Sequence, residues 1–185
     1  MTESIVKDAE IRMEKAVSAM KRELASVRAG RATPAMLDKV MVSYYGSPMP
    51  VNQVASVTSP EPRLLIISPW EKTMLAEIEK AIQKSDLGLN PSNDGSVIRI
   101  AVPALTEQRR QELAKQVKKI AEEGRVAVRN VRRDANDELK KSEKSGEVSE
   151  DEIRRLMDQV QQRTDKAIAE IDHALSAKEQ ELLEV

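Results

Sequence analysis

The stretch "LTEQRRQELAKQVKKIAEEGRVAVRNVRRDANDELKK", residues 105–141, decides the fold. A seam runs through it at Leu113, Val117, Ile120, Gly124, Val128, Val131, Ala135 and Leu139, in steps of three and four. That spacing keeps one stripe on one face of an α-helix, because a turn takes 3.6 residues. Thr106 stands where an N-cap is expected, and Glu107 follows in the first turn, where an acid suits the helix dipole. At 1.5 Å per residue the helix is about 55 Å long. A lone helix cannot bury its own apolar stripe, so other helices must cover it.

The flanking sequence supplies them. Upstream, Val6, Ala9, Met13, Ala16 or Val17, Met20, Leu24 and Val27 repeat the spacing, and "RAGRATP" ends the helix at Gly30. Downstream, "KSGEVSED" breaks the chain and offers Ser149 as the next N-cap. The third seam is Ile153, Leu156, Val160, Thr164, Ala167 or Ile168, Ile171, Leu175, Lys178 and Leu182, with Lys178 its weak member. All eight prolines lie between Pro34 and Pro103. A proline inside a helix costs about 3 kcal/mol, so the flanks are the helical part and the middle is something else.

That middle segment reads as β-rich. "KVMVSYYG", "VASVTS", "RLLIIS" and "VIRIAV" are strand candidates, and "NDGS" at 93–96 is a turn signal. "TMLAEIEKAIQKS" is one amphipathic helix, with Met74 or Leu75, Ile78 and Ile82 on its buried face. The expected fold class is α+β: an antiparallel three-helix bundle of residues 1–30 and 106–185, with a small β/α/β domain of residues 31–105 inserted. Two strands of chain, "AGRAT" and "PALT", join the two. They make Gly30, Arg31, Ala32, Pro103, Ala104 and Leu105 the expected hinge.

Composition narrows the function. Hydrophobic residues make up 40% of the 185, enough for a core, but aromatics are only 2%, so that core is aliphatic. The absence of cysteine excludes disulfides and thiolate metal sites. No apolar run approaches a membrane span, and the acids of "MTESIVKDAE" do not suit a signal or transit peptide. A soluble cytoplasmic protein is expected. His173 is the single histidine, and there is no Walker loop or GxGxxG. "DANDELKKSEKSGE" places Leu139 where a calcium loop needs glycine. No catalytic residue, metal or cofactor is expected. The chain reads as a binding or mechanical protein and not an enzyme.

Its charge is sorted. The net charge is -1, yet residues 106–133 carry +5 and residues 134–185 carry -7. "RVAVRNVRRDAND", residues 125–137, holds four arginines within nine positions. On a helical wheel Arg125, Arg129, Arg132 and Arg133 share a flank about 110° from the seam, expected to face solvent, with Asp134 and Asp137 turned aside. Two readings fit this stripe. Arginine's planar head suits phosphate, and the acidic third helix could equally pair with it. Too few aromatics are present for base stacking, so contact with RNA would run through backbone and shape. Arg28 and Arg31 in "VRAGR" form a second basic spot, although Arg28 also suits a helix C-terminal dipole.

Four motifs, "RAGRATPAMLDKVMVSYYGSPMPVNQVASVT", "SDLGLNPSNDGS", "PALTEQRR" and "RVAVRNVRRDAND", together resemble the ribosome recycling factor family, in order from about residue 5 onward. The resemblance implies a roughly tRNA-shaped, monomeric, non-enzymatic protein whose bundle carries the small domain on a two-strand hinge. It implies binding to the post-termination ribosome at the A and P sites of the large subunit. Elongation factor G, which hydrolyses the GTP, would then help split the ribosome into subunits and free mRNA and tRNA. Arg129 and Arg132 match the family's rRNA-contacting arginines, and Arg28, Gly30 and Arg31 match its hinge-proximal motif. Geometry adds Arg125 and Arg133. The implied partners are large-subunit rRNA, the central intersubunit bridge and elongation factor G, with no membrane. Two other readings differ in class. One is a helical adaptor acting through the acidic third helix. The other is a tRNA-binding arm of a synthetase-like enzyme, for which 185 residues hold no catalytic domain.

Overall fold

The computed structural model describes residues 2–28 and 30–183. Ala29, in the first linker, and the terminal Met1, Glu184 and Val185 lie outside the described residues. The chain divides into two compact units, residues 1–28 with 107–184 and residues 29–106.

The first unit contains three long helices: α1 (Thr2–Ser26), α4 (Glu107–Lys144) and α5 (Glu150–Leu183). Each packs on both others. The seam of α4 is buried along its whole length, with Ala121 added to the residues its spacing predicts. In α1 the buried member of the ambiguous pair is Val17, and in α5 it is Ala167. Full burial of one such aliphatic side chain contributes about 1.5–3 kcal/mol. Lys178, the weak position, keeps only 12% of its side chain exposed and places Nζ 3.3 Å from Glu181. Its stem covers apolar surface while its charge stays at the rim. Thr164 is buried but satisfied, since Oγ1 donates to the Val160 carbonyl at 2.8 Å.

Cross-helix pairs give the directions. Gly124 faces Met20 and Asp134 pairs with Arg12, so α4 runs antiparallel to α1. Lys21 pairs with Glu170 and Glu10 with Arg163, so α5 runs parallel to α1. Ser149 caps α5 as expected, its Oγ accepting the Glu152 N–H at 3.2 Å.

The second unit is a small antiparallel β structure with one helix. A hairpin of β1 (Met41–Tyr44) and β2 (Ser47–Pro50) leads through one helical turn, α2 (Val51–Val54), into a four-stranded sheet. That sheet contains β3 (Ala55–Glu61), β4 (Leu64–Pro69), β5 (Pro91–Asn93) and β6 (Ile98–Ala101), in the order β3-β4-β6-β5. Alternation is clean in the centre: Leu65 and Ile67 of β4 and Ile98 and Ile100 of β6 are fully buried. Helix α3 (Leu75–Lys84) adds Leu75, Ile78 and Ile82 to this core. Strands β2 and β5 were not among the candidates, because Pro48, Pro50 and Pro91 lie in them. Both strands pair on one side only, and proline is tolerated there because its missing N–H is not needed. The turn "NDGS" closes the β5–β6 hairpin, with Asp94 Oδ1 accepting the N–H groups of Ser96 and Val97 at 2.9 and 2.8 Å.

The β1–β2 turn gathers both tyrosines. Tyr45 and Gly46 have φ of 48° and 84°, the pair of positive values that a type I′ turn requires. Tyr45 bears the local cost of that conformation. It is held by its hydroxyl, which donates to Glu71 Oε2 at 2.9 Å, while Tyr44 donates to Glu71 Oε1 at 3.0 Å. The two rings meet edge to face, with centroids 4.5 Å apart. Hydrogen bonding to Glu71, and then its negative charge, hold Tyr45 above the ordinary tyrosine range. The same hydrogen bond raises Tyr44.

Both ends of the inserted segment are tied to the β3–β4 turn. Ala32 N–H donates to the Pro62 carbonyl at 2.7 Å, and Val102 N–H to the next carbonyl, Arg63, at 2.8 Å. Gly30 has φ of 73°, and a Cβ there would stand 2.7 Å from Leu105 Cγ. Only glycine meets both conditions without strain.

Two outcomes follow. A Cβ on Gly124 would lie 2.9 Å from Met20 Cγ, so Gly124→Val should lower bundle stability by about 1–3 kcal/mol in a denaturant melt, as overpacking does. Glu71→Gln removes the negative charge that keeps both hydroxyls protonated. It should therefore bring tyrosinate absorbance in at lower pH during an alkaline titration.

Candidate nucleic-acid interface

The arginine stripe rides on the second half of α4, whose rotation is set by the buried seam Gly124, Val128, Val131 and Ala135. Helix α5 lies beside it and decides what each arginine meets. Arg125 corrects the expectation of a solvent-facing residue. Only 20% of its side chain is exposed. Its Nη2 sits 2.7 Å from Asp172 Oδ1 on α5, and its Nη1 donates to Glu122 Oε2 at 3.0 Å. Asp172, and less strongly Glu122, hold the guanidinium above its ordinary pKa. The sequence rule missed this because Glu122 precedes Arg125 by three residues, and Asp172 is 47 residues away.

Arg129 is half neutralised. It is 46% exposed and its Nη1 donates to Glu122 Oε1 at 3.2 Å, sharing that carboxylate with Arg125. The hydrogen bonds from Arg129 first, then Arg125, hold Glu122 below the usual carboxylate range.

Arg132 and Arg133 are different. Arg132 Nη1 donates to Gln161 Oε1 at 3.3 Å, and Arg133 Nη2 to Asn130 Oδ1 at 3.1 Å. Both partners are neutral amides, and neither arginine has a carboxylate partner among the described residues. Asp134 is drawn away by Arg12 at 3.1 Å. Asp137 is not turned aside as expected. It lines an open cleft of about 470 Å³ together with Arg129, Asn130, Arg132, Arg133, Asn136, Lys140 and Gln161. The Asn136 side-chain oxygen is shut off from solvent and has no hydrogen-bond donor among the described residues. A cleft with several cations and one acid attracts anions, and the guanidinium forks fix the geometry of a phosphate.

Sequence reasoning missed Lys140, Asn136 and Gln161. A signal for Gln161 was present: in an otherwise acidic helix, "QVQQ" at 159–162 is a neutral break. Arg28 and Arg31 are exposed and have no ion-pair partner among the described residues. They fall in different units, Arg28 beyond the end of α1 and Arg31 in the inserted segment. Of the expected hinge residues, Gly30, Arg31, Pro103, Ala104 and Leu105 lie in irregular chain, while Ala32 is buried and bonded to Pro62. Among the described residues, no group of His, Cys, Asp or Glu could hold a metal ion, and no helix is long and apolar enough to cross a membrane.

The family model described as Ribosome recycling factor matches residues 20–183. The chain belongs to the ribosome recycling factor family. The ribosome-recycling factor of Bacillus cytotoxicus is 60% identical over 185 residues and that of Halalkalibacterium halodurans is 58% identical, with both chains fully covered in each case. A solution structure of a ribosome recycling factor superposes with a TM-score of 0.73 at 43% identity, covering 100% of this chain and 98% of that one. A second neighbour is the T. thermophilus ribosome recycling factor, with E. coli elongation factor G, bound to the E. coli post-termination complex. It has a TM-score of 0.63 at 46% identity, with 99% of each chain covered. The bundle with its small antiparallel β domain is thus the architecture of this family, and ribosome recycling is its function.

The ion-pair pattern separates two arginines by stability. Arg125→Ala should cost about 1 kcal/mol, limited by the half-exposed carboxylates it leaves behind. Arg132→Ala should stay within about 0.5 kcal/mol, as surface substitutions do. Denaturant melts of the two variants compare them directly.

Proposed function

We propose that this chain binds the post-termination ribosome across the A and P sites of the large subunit and, together with elongation factor G, splits it into subunits. The GTP hydrolysis belongs to elongation factor G, and the present chain acts as a binding and mechanical element without catalysis of its own. The observation that carries the binding reading is the pair Arg132 and Arg133. Among the described residues they are the arginines of the stripe that meet only neutral amides, and they open on a cleft that can admit phosphate. Arg129 adds a partly neutralised cation, and Arg28 and Arg31 add exposed ones. Arg125 acts differently: it ties α4 to α5 through Asp172 and contributes to the stripe's rigidity. The neighbour bound with elongation factor G on a post-termination complex supports the same partners for this chain.

Mechanical action needs a joint. Gly30, Arg31, Pro103, Ala104 and Leu105 are the proposed pivot. Ala32 and Val102 move with the small unit because the β3–β4 turn holds them. Domain II, residues 31–105, would swing toward the central intersubunit bridge on this pivot. Release of ribosomes into subunits lowers scattered light, so post-termination ribosomes mixed with this protein, elongation factor G and GTP should show a fall in scattering. Arg132→Glu should abolish tight large-subunit binding in a pelleting assay while the thermal melt stays unchanged. Unaltered pelleting would favour an adaptor that acts through the acidic helix.

A further inference from the structure

We infer that Gln161 of α5 is a positioning residue for Arg132, and that its neutrality is what keeps Arg132 available to phosphate. This rests on the phosphate-binding reading of the cleft and goes further by assigning a role to the second helix.

Gln161 stands between two charged groups. Its Oε1 accepts from Arg132 at 3.3 Å, and its Nε2 donates to Asp165 Oδ1 at 2.8 Å. An ionised carboxylate can only accept, so Asp165 takes the amide's NH₂ end and leaves the carbonyl end for Arg132. Asp165 lies one turn along the same helix and sets the orientation of the amide. A guanidinium held by a carbonyl loses rotamer freedom before the ligand arrives, which lowers the ordering cost of binding. It retains its full charge, because an amide carries none.

The neighbouring arginines supply the contrast. Where α5 or α4 offers a carboxylate, as Asp172 and Glu122 do, Arg125 and Arg129 are bound by it. At Arg132 the same helix offers an amide instead. The stripe therefore changes from ion pairs at Arg125 to accessible charge at Arg132, and Gln161 is the residue on α5 that makes the change.

The test measures binding of purified large ribosomal subunits at several salt concentrations. Gln161→Glu puts a carboxylate opposite Arg132, and repulsion from Asp165 turns it toward the arginine. Binding should weaken roughly tenfold, and the slope of log K against log salt should fall by about 0.7–0.9, the share of one phosphate contact. Gln161→Met removes the acceptor without adding charge. Binding should weaken about threefold with the slope unchanged, because the cost is orientation alone. Asp165→Asn removes a negative charge near a basic cleft. Simple charge counting expects tighter binding, whereas loss of the imposed amide orientation makes it weaker. Thermal melts verify that each variant is folded. If Gln161→Glu binds with parental affinity and slope while Arg132→Ala binds weakly, the role assigned to Gln161 is wrong. If Arg132→Ala itself binds like the parent, the phosphate-binding reading fails instead.

Discussion

Burial of the α4 seam between α1 and α5 fixes the rotation of α4 about its own axis, and the surface chemistry of the bundle depends on that rotation. Val117, Ala121, Val128 and Leu139 are wholly inaccessible, so the helix has no freedom to turn. Gly124 lets α4 approach closely at the level of Met20 and Ile171. A glycine inside a helix costs about 1 kcal/mol relative to alanine, and close approach of two helices offsets it through packing. Once the seam is buried, the arginines one, five, eight and nine positions after Gly124 have only one place to go.

That place is not uniform. The stripe runs alongside a helix that meets it with an acid at Asp172 and an amide at Gln161. Charge that is paired with carboxylates, as at Arg125, stabilises the bundle and is lost to a ligand. Charge that meets amides, as at Arg132 and Arg133, contributes little to folding and is not neutralised by its partner. The same residue type therefore meets two kinds of partner within nine positions, carboxylates at Arg125 and amides at Arg132 and Arg133. The net charge of -1 comes from 30 basic and 31 acidic residues over the whole chain, so the stripe is a local concentration of charge and not an overall excess.

The small unit solves a different problem. It makes a core without a long helix and nearly without aromatics, by alternating buried Leu and Ile along β4 and β6 and closing them with α3. Pro48, Pro50 and Pro91 sit in edge strands that need no donor on their outer side, which also blunts those edges against pairing with other chains. The aromatic residues contribute little to it: Trp70 and Tyr45 are exposed, Tyr44 packs partly buried against the cluster, and both tyrosines hold Glu71 and a strained turn.

Local rules account for what could be read directly. Three helices, their seams, the cap at Ser149, the break at the prolines and the central strands follow from spacing and from residues within a few positions of one another. The stripe itself was legible in the same way, except that Arg125, expected to face solvent, is largely covered beside α5. Strands β2 and β5 were not, because proline argues against a strand until the sheet shows that its donor side faces nothing. The partners of the arginines were not legible either. Asp172 and Gln161 stand 47 and 29 residues from the arginines they meet, brought together only by the packing of α5 on α4. Periodicity sets which face of a helix is buried. The axial register between two helices sets which polar residues touch, and that register depends on how all the side chains of both seams interlock.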